Sequence, residues 1–186
     1  MASDRLITLC HRAWALPVLA EMHRADAAGM GGARLVALSY TFGASPNAIR
    51  SSLDHLIALG LAAPNPGHGH PLRPEYILTK RGARLAPACA ALDDSLLLFR
   101  LRQEAMHKWA LPTIHAAAVL RPARFTALGD QLRGITDRAL SQTLRLLTAG
   151  GVLRREVREG FPPVPLYDLT GTGEAIAPFL EPLAAG

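Results

Sequence analysis

Four polar side chains with hydrogen-bonding capacity recur at helical spacing in the second half of the sequence. Arg138, Ser141, Gln142 and Arg145 stand at positions i, i+3, i+4 and i+7, which places them on one face of a helix. Guanidinium and amide groups can hydrogen-bond the base edges of guanine and adenine, and arginine also neutralises phosphate. This face therefore has the chemistry needed to bind a nucleic-acid duplex.

The helix that must position these side chains is well marked. Thr136 supplies an N-cap oxygen, Asp137 places negative charge in the first turn, and Gly150-Gly151 ends the helix. The opposite face is apolar and predicts burial of Leu140, Leu144 and Leu147. The segment is thus an amphipathic helix with its polar face toward solvent.

The surrounding segments predict a winged helix-turn-helix module. An apolar stripe from Glu104 to about Leu120, with Pro112 in its first turn, indicates a first helix. A short helix containing Phe125, Leu128 and Leu132 precedes the turn at Gly134-Ile135. Two strands, 152–158 and 164–169, follow as a hairpin, and Thr170 opens a last helix carrying Ile176, Phe179 and Leu183. In such modules the second helix of the pair enters the major groove.

The first half repeats this pattern. Trp14-Ala15-Leu16-Pro17 recurs as Trp109-Ala110-Leu111-Pro112, and Tyr76, Thr79 and Gly82 recur as Tyr167, Thr170 and Gly173. In the first copy Ser45 caps the helix, Pro46 occupies its first position, and the outward face is Asn47, Arg50, Ser51 and Asp54. We therefore predict a mainly α chain with small β wings (α+β), built from two tandem winged helix-turn-helix domains at residues 1–92 and 93–186.

A dense apolar stretch from Leu92 to Met106 joins the two halves, where a flexible tether would be polar. We interpret it as packing that holds the modules as a pseudo-twofold dimer within one chain. The alternative is that these leucines complete each module's own core. Since the two outward faces differ, the first interpretation predicts an imperfectly palindromic duplex site with recognition helices about 34 Å apart.

The charge distribution favours a polyanionic partner. The net charge is +5 with a pI near 9.9. The segment from Arg121 to Arg158 contains eight arginines and only three acidic residues, so it is strongly basic. Arginines on the wings, at Arg154, Arg155 and Arg158 in one copy and Arg73 in the other, are suited to phosphate or minor-groove contacts. A solvated face that binds nothing is the alternative for such charges.

In order and spacing, these motifs resemble HxlR-type winged-helix transcription regulators, relatives of the MarR group. The resemblance covers both halves. It rests on Lys108-Trp109, Arg124-Phe125 with Leu128, Gly134-Ile135-Thr136, the run from Leu140 to Gly151, and Tyr167-x-Leu169-Thr170 with Gly173. It implies a DNA-binding bacterial or archaeal regulator, usually a homodimer of single modules. This chain departs in carrying two modules, and in having no cysteine close ahead of Trp109 and only Cys10 close ahead of Trp14.

The candidate DNA-binding residues come from both copies. In the second copy, Arg138, Gln142 and Arg145 are expected to reach bases or phosphates with help from Ser141, and we expect this copy to dominate affinity because Asp54 replaces Arg145 in the first. A protein-binding helix with a solvated polar face is the alternative. The full candidate set is Arg34, Ser45, Asn47, Arg50, Ser51, Arg73, Arg124, Thr136, Arg138, Ser141, Gln142, Arg145, Arg154, Arg155 and Arg158.

Other classes of site find little support in the sequence. His68-Gly69-His70 is a weak ligand set, so no metal or other cofactor is expected. Cys10 and Cys89 are interpreted as packed small apolar residues. Catalytic motifs, a secretory signal and a long apolar run are not visible, which predicts a non-enzymatic, non-membrane protein that is cytoplasmic and nucleoid-associated.

Two functions from different classes follow. The favoured hypothesis is a sequence-specific transcription regulator, a repressor if its operator overlaps a promoter, acting on double-stranded DNA as a monomeric pseudo-dimer or a homodimer. The alternative is a tandem winged-helix scaffold for protein interaction in a chromosome or transcription complex. Regulation by a small apolar effector held between the modules would add to the first hypothesis.

Overall fold

A computed structural model describes residues 2–66, 74–161 and 163–185 of the chain. The fold is mixed α+β, mostly helical with small antiparallel sheets, and is consistent with winged helix-turn-helix architecture. The chain divides into two compact units. One is His11–Asp94, and the other combines the segment up to Cys10 with the chain from Ser95 onward.

The unit His11–Asp94 is a helical layer closed by a three-stranded antiparallel sheet. The sheet order is β1-β3-β2, with Ala33 opposite Tyr76 and Ala62 opposite Leu78. Its elements in chain order are α2 (Ala15–Ala27), β1 (Ala33–Arg34), α3 (Leu35–Phe42), α4 (Pro46–Ala58), β2 (Ala62–Pro64), β3 (Glu75–Leu78) and the larger part of α5 (Lys80–Leu98).

The second unit has a sheet of equivalent order, β4-β6-β5, with Ala123 opposite Tyr167 and Leu153 opposite Leu169. Its helices are α1 (Ala2–Leu9), α6 (Arg102–Ala105), α7 (Ala110–Leu120), α8 (Phe125–Gln131), α9 (Asp137–Ala149), α10 (Gly171–Ile176) and α11 (Glu181–Ala185), with a 3-10 turn at Ala177–Phe179. Its strands are β4 (Ala123–Arg124), β5 (Leu153–Arg158) and β6 (Val164–Leu169).

The cores of both units follow the predicted spacing. In α4 the inward residues Ile49, Leu53 and Leu56 are fully buried. In α9 the corresponding residues are equally buried, namely Leu140, Leu144 and Leu147. Because each helix closes its own core with one apolar face, its opposite face remains available to solvent.

The number of strands and the limits of the units differ from the sequence-based expectation. Each wing was predicted as two strands, but a two-residue third strand, β1 or β4, pairs with the second wing strand in each sheet. The predicted domain limits of 1–92 and 93–186 also differ from the observed units, because α1 packs on α11 and α7 rather than within the His11–Asp94 unit. Leu6 of α1 is fully buried there.

The last helix is also interrupted. The sequence predicted one helix from Thr170 through Leu183, whereas the structure has α10, the 3-10 turn and α11 in succession. Pro178 and Pro182 lack the backbone N–H that a continuous helix would need, which explains the breaks. Ile176 and Leu183 are nevertheless both buried, as the pattern predicted.

Candidate nucleic-acid interface

The polar face of α9 is held outward by the local structure predicted from the sequence. The Thr136 hydroxyl accepts a hydrogen bond from the Ala139 N–H at 3.2 Å, which caps the helix. Arg138, Gln142 and Arg145 are exposed, and Ser141 is half-buried. In the other unit Ser45 accepts from the Ala48 N–H at 3.3 Å and caps α4 in the same way.

A cleft of about 620 Å³ lies between α9 and the β5–β6 wing. Its walls are the outward face of α9 on one side and the wing on the other, and Phe125 of α8 contributes to the lining. The residues that line it are Phe125, Ser141, Leu144, Arg145, Thr148, Ala149, Arg155 and Tyr167. A concave surface with an arginine from each wall is suited to a phosphate-bearing chain.

Strand geometry places Arg155 on the cleft side. Arg155 lies opposite Tyr167 in the antiparallel register, so both side chains project from the same face of the sheet. Among the described residues, neither Arg145 nor Arg155 forms an ion pair with a carboxylate. Their charges are therefore available to an anionic ligand.

Arg154, by contrast, belongs to an ion-pair cluster on the other face of the sheet. Its Nη2 lies 2.7 Å from Asp168 Oδ2, and its Nε lies 3.5 Å from Glu156 Oε1. Arg121 completes the cluster, since it binds Asp168 Oδ1 at 2.9 Å and also pairs with Glu174. Because adjacent strand residues point to opposite faces, Arg155 lies on the cleft face of β5, whereas Arg154 and Arg158 share the other face.

The pKa of Asp168 reflects this cluster. Burial by itself would raise the pKa of the carboxyl group, but hydrogen bonds from Arg121, Arg154 and the Leu169 N–H outweigh burial and lower the pKa below its ordinary value of 3.8. A carboxyl group with a lowered pKa stabilises the folded state above the unfolded-state pKa. That stabilisation is lost as the pH falls through the lowered folded-state value.

We therefore predict a pH-dependent difference between the wild type and Asp168→Asn. Near neutral pH the wild type should be the more stable, because only the carboxylate pairs with both arginines. Below about pH 3.8, the ordinary value, the difference in melting temperature should shrink as Asp168 is protonated. A difference that stays constant from neutral pH to about pH 3 would contradict the pKa assignment.

The outward face of α4 forms a shallower recess of about 410 Å³. Two residues outside the candidate DNA-binding set, Arg12 and His55, join the predicted residues there. The His55 and His11 rings are 5.8 Å apart. The recess is lined by Arg12, Asn47, Arg50, Ser51, Asp54 and His55. Asp54 makes this face less favourable for phosphate than its counterpart on α9.

The remaining candidate residues are dispersed. Arg34 lies 3.6 Å from Glu75 and is partly neutralised by it. Arg124 is exposed at the end of β4, and Arg158 is exposed at the end of β5. Arg73 lies outside the described residues, as do His68 and His70 of the weak metal-ligand set. Sequence reasoning placed Phe125 and Tyr167 in the fold but did not identify them as cleft residues.

Neither metal nor thiol chemistry is supported in the described part of the chain. No cluster of three or more His, Cys, Asp or Glu side chains with metal-binding geometry occurs among residues 2–66, 74–161 and 163–185. Cys10 and Cys89 are buried, and burial raises the pKa of Cys10 to about 12, which disfavours the reactive thiolate. No helix in these ranges has the length and apolar character needed to span a bilayer.

Comparison with known proteins identifies the family that the sequence of this chain resembles. The model of the protein family described as "HxlR-like helix-turn-helix" matches residues 105–185. This range contains all the residues that line the cleft between α9 and the wing. An uncharacterized HTH-type transcriptional regulator of Halalkalibacterium halodurans is 36% identical over 76 residues, covering 41% of this chain and 67% of that protein. An uncharacterized HTH-type transcriptional regulator of Methanothermobacter thermautotrophicus is 38% identical over 60 residues, covering 32% of this chain and 46% of that protein. No solved structure matches the chain significantly.

Proposed function

Because the chain belongs to the HxlR-like helix-turn-helix family, we propose that it is a sequence-specific DNA-binding transcription regulator. The observation that carries the proposal is the cleft between α9 and the wing. Arg145 and Arg155 face it from opposite walls without carboxylate partners among the described residues. Both relatives are named as HTH-type transcriptional regulators, which agrees with this assignment.

In this proposal α9 enters the major groove and the wing contacts the adjacent backbone. Arg138, Gln142 and Arg145 are the side chains that read bases, since arginine favours guanine and glutamine favours adenine. Arg155 and Arg158 neutralise phosphate, which positions the protein without reading sequence. Arg154 is not included, because Asp168 and Glu156 already neutralise it.

We further propose that the chain is a tandem duplicate whose two modules read two parts of one duplex site. Equivalent sheet order and register support the duplication, with Tyr76 and Tyr167 at matching positions. Trp14 and Trp109 of the repeated tetrapeptide also occupy the same N-cap position before α2 and α7. The unlike faces of α4 and α9 favour an imperfect palindrome, and occupation of a site that overlaps a promoter would repress transcription.

Selection from a random duplex library tests the proposal. At about 150 mM salt, sequence-blind electrostatic binding is weak while specific binding survives. We expect enrichment of a two-part motif with centres about ten base pairs apart. Enrichment of a single half-site would contradict reading by both modules. Failure to enrich any sequence would contradict the regulator proposal and favour the protein-interaction scaffold.

A further inference from the structure

Phe161 is fully exposed at the tip of the β5–β6 wing. Its relative exposure is 105%, the highest among the large apolar side chains that the structure describes. Removal of an apolar ring of this size from water is favourable. One exposed apolar residue is common on protein surfaces, so the inference depends on where this residue lies.

The wing carries Phe161 away from the cleft in a defined direction. Arg155 lines the cleft, and β5 continues from it to Arg158, which pairs with Val164. Three further strand residues span about 10 Å, and Phe161 lies in the loop beyond them. A major groove is about 12 Å wide, so a hairpin that leaves the cleft at the groove edge reaches across one backbone strand.

The side chains of the hairpin favour DNA as the ligand that contacts its tip. Arg155 and Arg158 are both exposed on the wing, and Val157 between them is half exposed. Glu156 is directed toward Arg154, on the face away from the cleft, which leaves Glu159 as the acidic residue of the loop. The approach to the tip thus combines cationic side chains with apolar surface.

From this arrangement we propose that Phe161 enters the minor groove beside the segment read by α9 and inserts its ring between two base pairs. Apolar side chains used in this way partly unstack one step and kink the duplex. The arginines of the same hairpin neutralise the flanking phosphates and so favour the approach. This inference rests on the proposed DNA-binding function and adds a second mode of recognition to it.

The first test compares the full-length wild type with Phe161→Ala on a duplex chosen by selection. We expect Phe161→Ala to bind about tenfold more weakly, because the variant loses the stacking of the aromatic ring on a base. Phe161→Leu should retain most of the affinity, because leucine is also an effective wedge. Val119→Ala removes an exposed apolar side chain from α7 and should leave binding unchanged. Since Phe161 contacts no core, its variants should melt like the wild type.

The second test detects insertion directly. With 2-aminopurine one base pair outside the predicted step, so that the amino group of the probe itself is not at the step, the wild type should raise the fluorescence by disturbing base stacking, and Phe161→Ala should not. Replacing A·T pairs at that step with inosine·cytosine keeps the minor groove free of the guanine amino group, so the effect of Phe161 should persist. With G·C pairs, which carry that amino group, the effect should disappear.

The outcomes separate this inference from the proposed function. If the wild type binds no sequence selectively, the regulator proposal is wrong. If it binds selectively and Phe161→Ala binds equally well, only the insertion is wrong. Weaker binding of Phe161→Ala without a fluorescence rise in the wild type would also overturn insertion.

Discussion

Replacing Arg145 with alanine is expected to lower the affinity for the selected duplex about 10- to 100-fold at about 150 mM salt. Arg145 is exposed on α9, lines the cleft and has no ion-pair partner among the described residues. A good arginine–guanine pair contributes about 1 to 3 kcal/mol of discrimination. The same variant should relax the base preference at one position of the motif, which a competition titration against single-base variants would measure.

Alanine variants of other arginines show whether the loss of affinity is specific to Arg145 and the cleft. Arg50→Ala on α4 should cost less than Arg145→Ala, because Asp54 already weakens the phosphate affinity of that face. Arg155→Ala should reduce the slope of log affinity against log salt by about one unit, while its neighbour Arg154→Ala should leave the slope unchanged. Equal losses from Arg145→Ala and Arg50→Ala would contradict the asymmetry between the two copies.

Replacing Gly173 with alanine is expected to destabilise the unit that contains the cleft by about 2 kcal/mol. An added Cβ would overlap the carbonyl oxygen of Val152 and lie 3.0 Å from Leu169 Cδ2. That carbonyl cannot retreat freely, because it accepts a hydrogen bond from the Thr170 N–H. For a cooperative unit, this loss corresponds to a fall in Tm of roughly 4 to 16 °C, measurable by calorimetry.

Gly171→Ala provides the matched control in the same helix. A Cβ at Gly171 meets nothing within 4 Å, and Gly171 is the first residue of α10. Alanine there should leave the free energy of unfolding unchanged or raise it by about 0.4–1 kcal/mol, because it reduces the conformational freedom of the unfolded chain. Equal destabilisation by the two substitutions would show that the close approach at Gly173 is not the cause.

Local signals in the sequence were sufficient to predict the elements that position the candidate site. The cap at Thr136 and the apolar spacing of α9 predicted both the helix and its exposed face, and the structure confirms both features. Helix periodicity and capping depend on neighbouring residues, so they can be read directly from the chain. The wing strands were predicted for the same reason.

Contacts between residues far apart in the chain could not be predicted from the sequence. The packing of α1 on α11 joins segments about 180 residues apart, and its packing on α7 joins segments about 110 residues apart, and no local pattern indicates such contacts. Strands β1 and β4 contain two residues each, too few to show the alternation of a strand. The ion pairs of Arg154 with Asp168 and Glu156 were not predicted, because charges were counted in the sequence without regard to strand facing.

Equilibrium titration of the full chain tests the central claim most directly. The selected duplex and a scrambled duplex of the same composition would be compared at about 150 mM salt. A sequence-reading regulator should bind the selected duplex at least about 10³-fold more tightly. Equal dissociation constants for the two duplexes would show that only phosphate is recognised, and would contradict the account of α9 as a base-reading helix.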